Sequence, residues 1–161
     1  MPIMPLMSCA GNELGGRGKL ETIYIEDMII GQKARYGQLV TLEQIQLFAD
    51  ASGDHNPVHL DEEFAATTPF QSRIAHGAMS TAFMSTVLGT KLPGLGTVLL
   101  GISNKFKAPV KLGEELIAEV EVAEIDLEKK RVRFECRCYV GDKVVTVGDA
   151  LVIAPSRGHD G

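Results

Sequence analysis

The second half of the chain alternates with a period of two. Leu116, Ala118, Val120 and Val122 share one parity, while Ile117, Glu119, Glu121 and Ala123 share the other. Val132, Phe134, Cys136 and Cys138 alternate in the same way with Arg131, Arg133, Glu135 and Arg137. This is the pattern of strands with one buried face. It predicts four strands, over 97–106, 115–126, 131–139 and 143–153. Gly141-Asp142 supplies a hairpin turn before the last of them, and Glu128-Lys129-Lys130 a polar turn before the third. Residues 77–92 read differently. Ala78, Met79, Ala82, Phe83, Met84, Thr86, Val87 and Leu88 make a helix that is apolar or small almost all round. Such a helix is buried rather than laid on a surface. Pro93-Gly94 ends it.

Upstream the elements are shorter. Thr22–Met28 reads as a first strand, Gly31 and Gly37 mark turns, and Gln38-Leu39-Val40 reads as a second short extended piece. Thr41 and Gln44 form a capping box, and Leu42, Ile45, Phe48 and Ala49 recur at helical spacing until Ser52-Gly53. Pro57 pushes Asn56 out of the helical region, so the segment from Gly53 to His59 is a polar turn. Asp61 caps a short helix through Ala66, stopped at Thr67-Thr68-Pro69. A long apolar helix followed by an antiparallel meander is best buried by wrapping the sheet around it, an α+β solution. The expected division is an arm over residues 1–20, one domain over 21–155 and a polar tail over 156–161.

Composition narrows the classes. A chain of 161 residues with 45% hydrophobic and 23% charged residues is an ordinary globular domain. A formal charge of −5, with no basic cluster, argues against nucleic acid as a partner. No apolar run reaches the roughly 18–20 residues that cross a bilayer, so no membrane partner is expected. The first twenty residues lack the basic start and apolar core of a secretion signal, which makes the cytoplasm the expected compartment. Cys9, Cys136 and Cys138 show no C-x-x-C spacing and are expected to be reduced thiols.

The candidate chemistry lies between residues 53 and 85. Asp54 and His59, five apart on a Pro-stiffened turn, are either an acid/base pair or turn-forming residues bonded to backbone. Gly77, at a helix mouth, is either an oxyanion-binding amide or a packing glycine. His76 is either a ligand-binding or a structural histidine. His55 and His59 are four apart, but Pro57 breaks the helix that a metal-binding pair of this spacing needs, so no metal is expected. His159 falls in the polar tail.

These residues carry a resemblance. Ala51-Ser52-Gly53-Asp54, Asn56-Pro57-Val58-His59, Phe64-Ala65-Ala66-Thr67-Thr68, Ile74-Ala75-His76-Gly77, Leu92-Pro93-Gly94 and Phe106-Lys107-Ala108-Pro109-Val110 resemble the MaoC-like, (R)-specific enoyl-CoA hydratases over residues 40–155. The resemblance implies a hot-dog fold, in which an antiparallel sheet wraps a long helix and two protomers join their sheets in a homodimer. It implies that Asp54 and His59 activate the water that adds to C3 of a trans-2-enoyl thioester and handle the proton for C2. The Gly77 amide would bind the thioester oxygen. Asn56 would shape the turn, and Ser85 would support the catalytic group by hydrogen bonding. Leu88, Leu151 and His76 would line the substrate site. The substrate would be an acyl thioester of coenzyme A or of acyl carrier protein, with no further cofactor, and the reverse reaction would be a 3-hydroxyacyl-CoA dehydration. His55 stands at the variable position of the turn, as a competing proton acceptor. Lys105, Lys107 and Lys111 are basic candidates for the carrier's phosphates or a solvated strand edge. The same fold also hosts acyl-CoA thioesterases and non-catalytic subunits, which remain the competing readings.

Overall fold

The computed structural model describes residues 20–158, so Cys9, His159 and nearly all of the expected arm lie outside the described residues. Five strands, β1 (Lys33–Leu39), β2 (Val98–Phe106), β3 (Glu115–Asp126), β4 (Arg131–Val140) and β5 (Lys143–Ile153), form one sheet in the order β1-β3-β4-β5-β2. Every neighbouring pair is antiparallel. The four helices are α1 (Leu42–Ser52), α2 (Pro57–Leu60), α3 (Glu62–Ala66) and α4 (Gly77–Thr90). α4 packs against β1, β2, β3 and β4, so the sheet curves around it as a hot-dog fold does.

The alternation explains this arrangement. Leu116, Ala118, Val120, Val132, Phe134 and Cys138 are all fully buried on the face turned to α4. They meet Met84, Val87 and Leu88, which are at most 1% exposed. Burying a large apolar side chain of this kind contributes about 1.5–3 kcal/mol. The sheet covers one side of α4; the other side, with Ala78, Ala82 and Gly89, is exposed and carries small residues in place of a polar stripe. Cys136 and Cys138 share that inner face, and burial pushes both thiols up to about 12. They are packing groups, without thiolate character near neutrality.

The capping box forms as its residues predict. Thr41 Oγ1 accepts from the Gln44 amide, and Gln44 reaches back to the Thr41 amide. α1 ends at Gly53, whose φ of 82° places it in the left-handed region. Asp61 caps α3 by accepting from the Phe64 amide at 3.1 Å.

Two expectations need correction. Thr22–Met28 is not a strand. It is an irregular strap with a 3-10 turn at Ile25–Asp27. Ile25 and Met28, three apart across that turn, are buried, but the Ile23 and Ile25 amides bond the Pro93 and Pro155 carbonyls instead of a neighbouring strand. The extended piece around residues 38–40 is part of the longer β1. The beginning of the expected polar tail is anchored: Arg157 pairs with Asp27 and stacks over the Tyr24 ring at 4.7 Å, and Ser156 bonds Glu26.

Candidate active site

The site is built where the turn after α1 meets the start of α4. Asn56 caps α2, its Oδ1 accepting from the Val58 amide at 3.2 Å, with Pro57 in the first helical position. Asp54 Oδ1 accepts from the Asn56 amide at 3.1 Å, which fixes the carboxylate to its own turn. The other oxygen, Oδ2, is thereby left facing two imidazoles. It lies 3.9 Å from His59 Nε2 and 4.0 Å from His76 Nε2. These gaps are too long for direct hydrogen bonds. A water placed about 2.8 Å from both Oδ2 and His59 Nε2 would span the first of them at an angle of roughly 90°.

Backbone carbonyls set the protonation pattern of the rings. His59 Nδ1 donates to the Ile74 carbonyl at 2.8 Å, so Nε2 of the uncharged ring carries the lone pair facing Asp54. His76 Nε2 donates to the Asp54 carbonyl at 2.9 Å. The two rings stack, 3.8 Å between centroids and 27° between planes, and Phe48 packs on His76 from the other side. Both histidines are buried, whereas the Asp54 side chain is half exposed. Burial pushes His59 below the ordinary histidine range, and the neighbouring His76 adds to that lowering.

The start of α4 is open. His76 occupies the N-cap position but gives no side-chain cap, and among the described residues no hydrogen bond is made to the Gly77 amide. A Cβ on Gly77 would meet the Phe106 ring at 3.1–3.3 Å, so glycine is needed there for close approach. A cavity of about 360 Å³ opens at this point. Gly77, Ser80, Val110 and Thr146 line it, with Phe106 and Lys107 at its side.

The turn and the helix mouth thus bring together Asp54, Asn56, His59, His76 and Gly77. Other expected residues lie elsewhere. The Ser85 side chain makes no hydrogen bond among the described residues, and Ser85 lies eight positions beyond Gly77, about 12 Å along the axis. Leu88 is 1% exposed in the core and does not line the cavity. Leu151 pairs with Arg133 and Gly101, between inward-facing Ala150 and Val152, and so points away from α4. His55 is turned to Asp50, which it bonds at 3.0 Å and which raises its pKa. Ser80 and Thr146 were not anticipated. Ser80 follows Gly77 by one helical turn on the same face, a spacing that could have marked it.

Asp54, His59 and His76 offer potential metal-ligand atoms within 4.8 Å of one another. His76 Nε2, however, is already a donor to the Asp54 carbonyl at 2.9 Å, which leaves that atom no lone pair for a metal.

Comparison with known proteins gives a consistent result. The family model described as "MaoC like domain" matches residues 28–149. The chain is 47% identical over 135 residues to an (R)-specific enoyl-CoA hydratase of Rhodospirillum rubrum, covering 84% of this chain and 94% of the relative. It is 43% identical over 139 residues to a 3-hydroxybutyryl-CoA dehydratase of Methylorubrum extorquens, covering 86% and 88%. Among solved structures, the unliganded R-hydratase of Pseudomonas aeruginosa superposes with a TM-score of 0.80 at 46% identity, over 84% of this chain and 88% of that one.

Proposed function

The chain belongs to the MaoC-like family, and on that premise we propose a mechanism by which it hydrates trans-2-enoyl-CoA to (R)-3-hydroxyacyl-CoA, and dehydrates it in reverse. The observation that carries the mechanism is the 3.9 Å gap between Asp54 Oδ2 and His59 Nε2 beside a helix mouth with a free amide.

A water in that gap donates one hydrogen to Asp54 Oδ2 and the other to His59 Nε2. As its oxygen bonds to C3, His59 takes a proton and the C2–C3 π pair moves toward the thioester oxygen. The Gly77 amide stabilises the resulting enolate, and the positive end of α4 adds to that stabilisation. The proton then returns from the dyad to C2, so one water adds with nothing left over. Burial weakens His59 as a proton holder, which favours this return. Asn56 keeps Oδ1 occupied and Oδ2 aimed. In this scheme the added water supplies the proton, the chain's own groups relay it and stabilise the charge, and no separate cofactor enters; coenzyme A is part of the substrate.

The acyl group occupies the cavity beyond Gly77, with Lys107 at its side near the path of the carrier arm. The protein acts as a homodimer in the cytoplasm. The unpaired edge of β2 supports the dimer, because Val98, Leu99 and Leu100 are exposed on it, whereas the opposite edge, β1, carries Lys33, Arg35 and Gln38. No helix among the described residues is long and apolar enough to cross a membrane. Reduced, buried Cys136 and Cys138 suit a cytoplasmic setting.

The test follows enoyl absorbance with crotonyl-CoA and reads product handedness with an (R)-specific dehydrogenase. Wild type is expected to form the (R)-alcohol, while Asp54→Asn and His59→Gln lose about 10³-fold or more in kcat, roughly 4 kcal/mol of transition-state stabilisation. Release of free thiol without hydration would instead assign the site to thioester hydrolysis.

A further inference from the structure

His76 is only 3% exposed, and the chemistry above gives it no proton to carry. It also stands where a side chain ordinarily satisfies the first amides of a helix. Here it does not: α4 has no side-chain cap, and His76 Nδ1 is buried without a partner. The ring is turned away from its own helix. It donates from Nε2 to the Asp54 carbonyl, 22 residues earlier, and lies flat against His59. One side chain therefore holds both members of the dyad, one through its main chain and the other through its ring plane. By declining to cap α4, it also leaves the helix mouth open for the thioester oxygen.

We propose that His76 is a positioning residue for the hydration step: its Nε2–H tautomer and stacked ring keep Asp54 Oδ2 and His59 Nε2 one water apart. The proposal rests on the assignment of Asp54 and His59 as the dyad. Its physical ground is the sensitivity of such geometry, since a shift of about 1 Å in a reacting group can cost about 10²-fold in rate. Asp54 needs the restraint more than His59 does. Its turn is held only by local bonds, to Ser52 and Asn56, and its side chain is half exposed. The His76 bond is its tie to the central helix.

Two substitutions separate the parts of this role. His76→Phe keeps a stacked ring and removes the donor; His76→Gln keeps a donor and removes the ring. With crotonyl-CoA, the Phe variant is expected to lose about 10–100-fold in kcat with KM within about threefold. The Gln variant is expected to recover most of that loss, with both melting temperatures near wild type. A Phe variant with wild-type kcat would overturn the proposal. So would Phe and Gln variants that lose rate and melting temperature together, which is the signature of a merely structural residue. Asp54→Asn, run in parallel, distinguishes the two possible failures. If it is inactive while His76→Phe is fully active, only the positioning role falls; if it is itself fully active, the dyad assignment falls and takes this role with it. A measurement on the native protein does not depend on any variant folding. Nitrogen–proton correlation of the histidine rings at about pH 8 should place the His76 proton on Nε2, and a proton on Nδ1 would overturn the proposal.

Discussion

Among the described residues two polar clusters are buried, and they are finished differently. On the outer face of the sheet, Glu119 is 2% exposed and closed on every side. Arg35 bonds it at 2.6 Å, Lys33 lies at 3.8 Å and the Tyr139 hydroxyl at 3.5 Å, with Arg35 also lying over the Tyr139 ring. At the mouth of α4, His59 and His76 are almost as buried, yet the cluster is left open. Asp54 Oδ2 stops 3.9–4.0 Å short of both rings, His76 Nδ1 has no partner and the Gly77 amide is free. A buried polar cluster kept only for stability is expected to close its bonds, because each unmet one costs about 1–3 kcal/mol. Unmet bonds gathered at one place mark where the molecule expects a ligand.

Substitutions should therefore divide the two clusters sharply. The largest effect is at the open one. Asp54→Asn should lose its 10³-fold or more in kcat while its urea midpoint stays at or above wild type, because site residues are not selected for stability. A midpoint well below wild type would make Asp54 a structural residue and erase the distinction. At the closed cluster the signs reverse. Glu119→Ala should lower unfolding stability by about 2 kcal/mol, reduced from the full cost of a broken buried pair because Arg35 and Lys33 are exposed enough to be re-hydrated. Its kcat should be unchanged.

Acidity supplies a finer test. Burial lowers the folded-state pKa of His59, so the unfolded chain binds that proton more readily. The stability linked to His59 is then complete above the ordinary histidine value near 6.5 and declines as pH falls below it. The base form should also persist there, so the acid limb of a kcat/KM profile should lie below about 6.5 in wild type. A limb above that value would mean that His59 is held by its carboxylate neighbour more than it is desolvated. The smallest effect is expected in the cavity. Ser80→Ala with Thr146→Val removes two hydroxyls from its wall, and should raise the preference for longer apolar enoyl chains over crotonyl-CoA by about three- to tenfold. An unchanged preference would show that these hydroxyls face only solvent water.

The contrast also explains what could be read from the chain. The inner faces of β3 and β4 and the burial of α4 were legible, because each depends on a periodicity that is local. The capping box at Thr41 and the Asp61 cap were legible for the same reason. Thr22–Met28 looks like a strand by its Thr, Ile and Tyr residues, yet the Ile23 and Ile25 amides are met by Pro93 and Pro155, and nothing local announces those partners. Glu119 sits at an outward-facing position of β3, and its burial depends on Arg35, 84 residues away across a pairing that skips β2. In the active site, the resemblance picked out Asp54, His59 and Gly77, which the fold does bring together. Transferring positions along α4 and β5 was less secure. Ser85, Leu88 and Leu151 match by position, but side-chain direction on a helix or strand changes within one or two residues, and none of the three lines the cavity.

β2 connects these features to the behaviour of the protein in a tube. Its apolar edge is the proposed seam between protomers, and its last residue, Phe106, packs over Gly77 and walls the cavity. The seam and the wall are the same nine residues of backbone. Turnover per protomer should then depend on protein concentration, falling on dilution as a freed β2 lets Phe106 drift from the helix mouth. Assays at nanomolar enzyme would report subunit exchange as if it were chemistry.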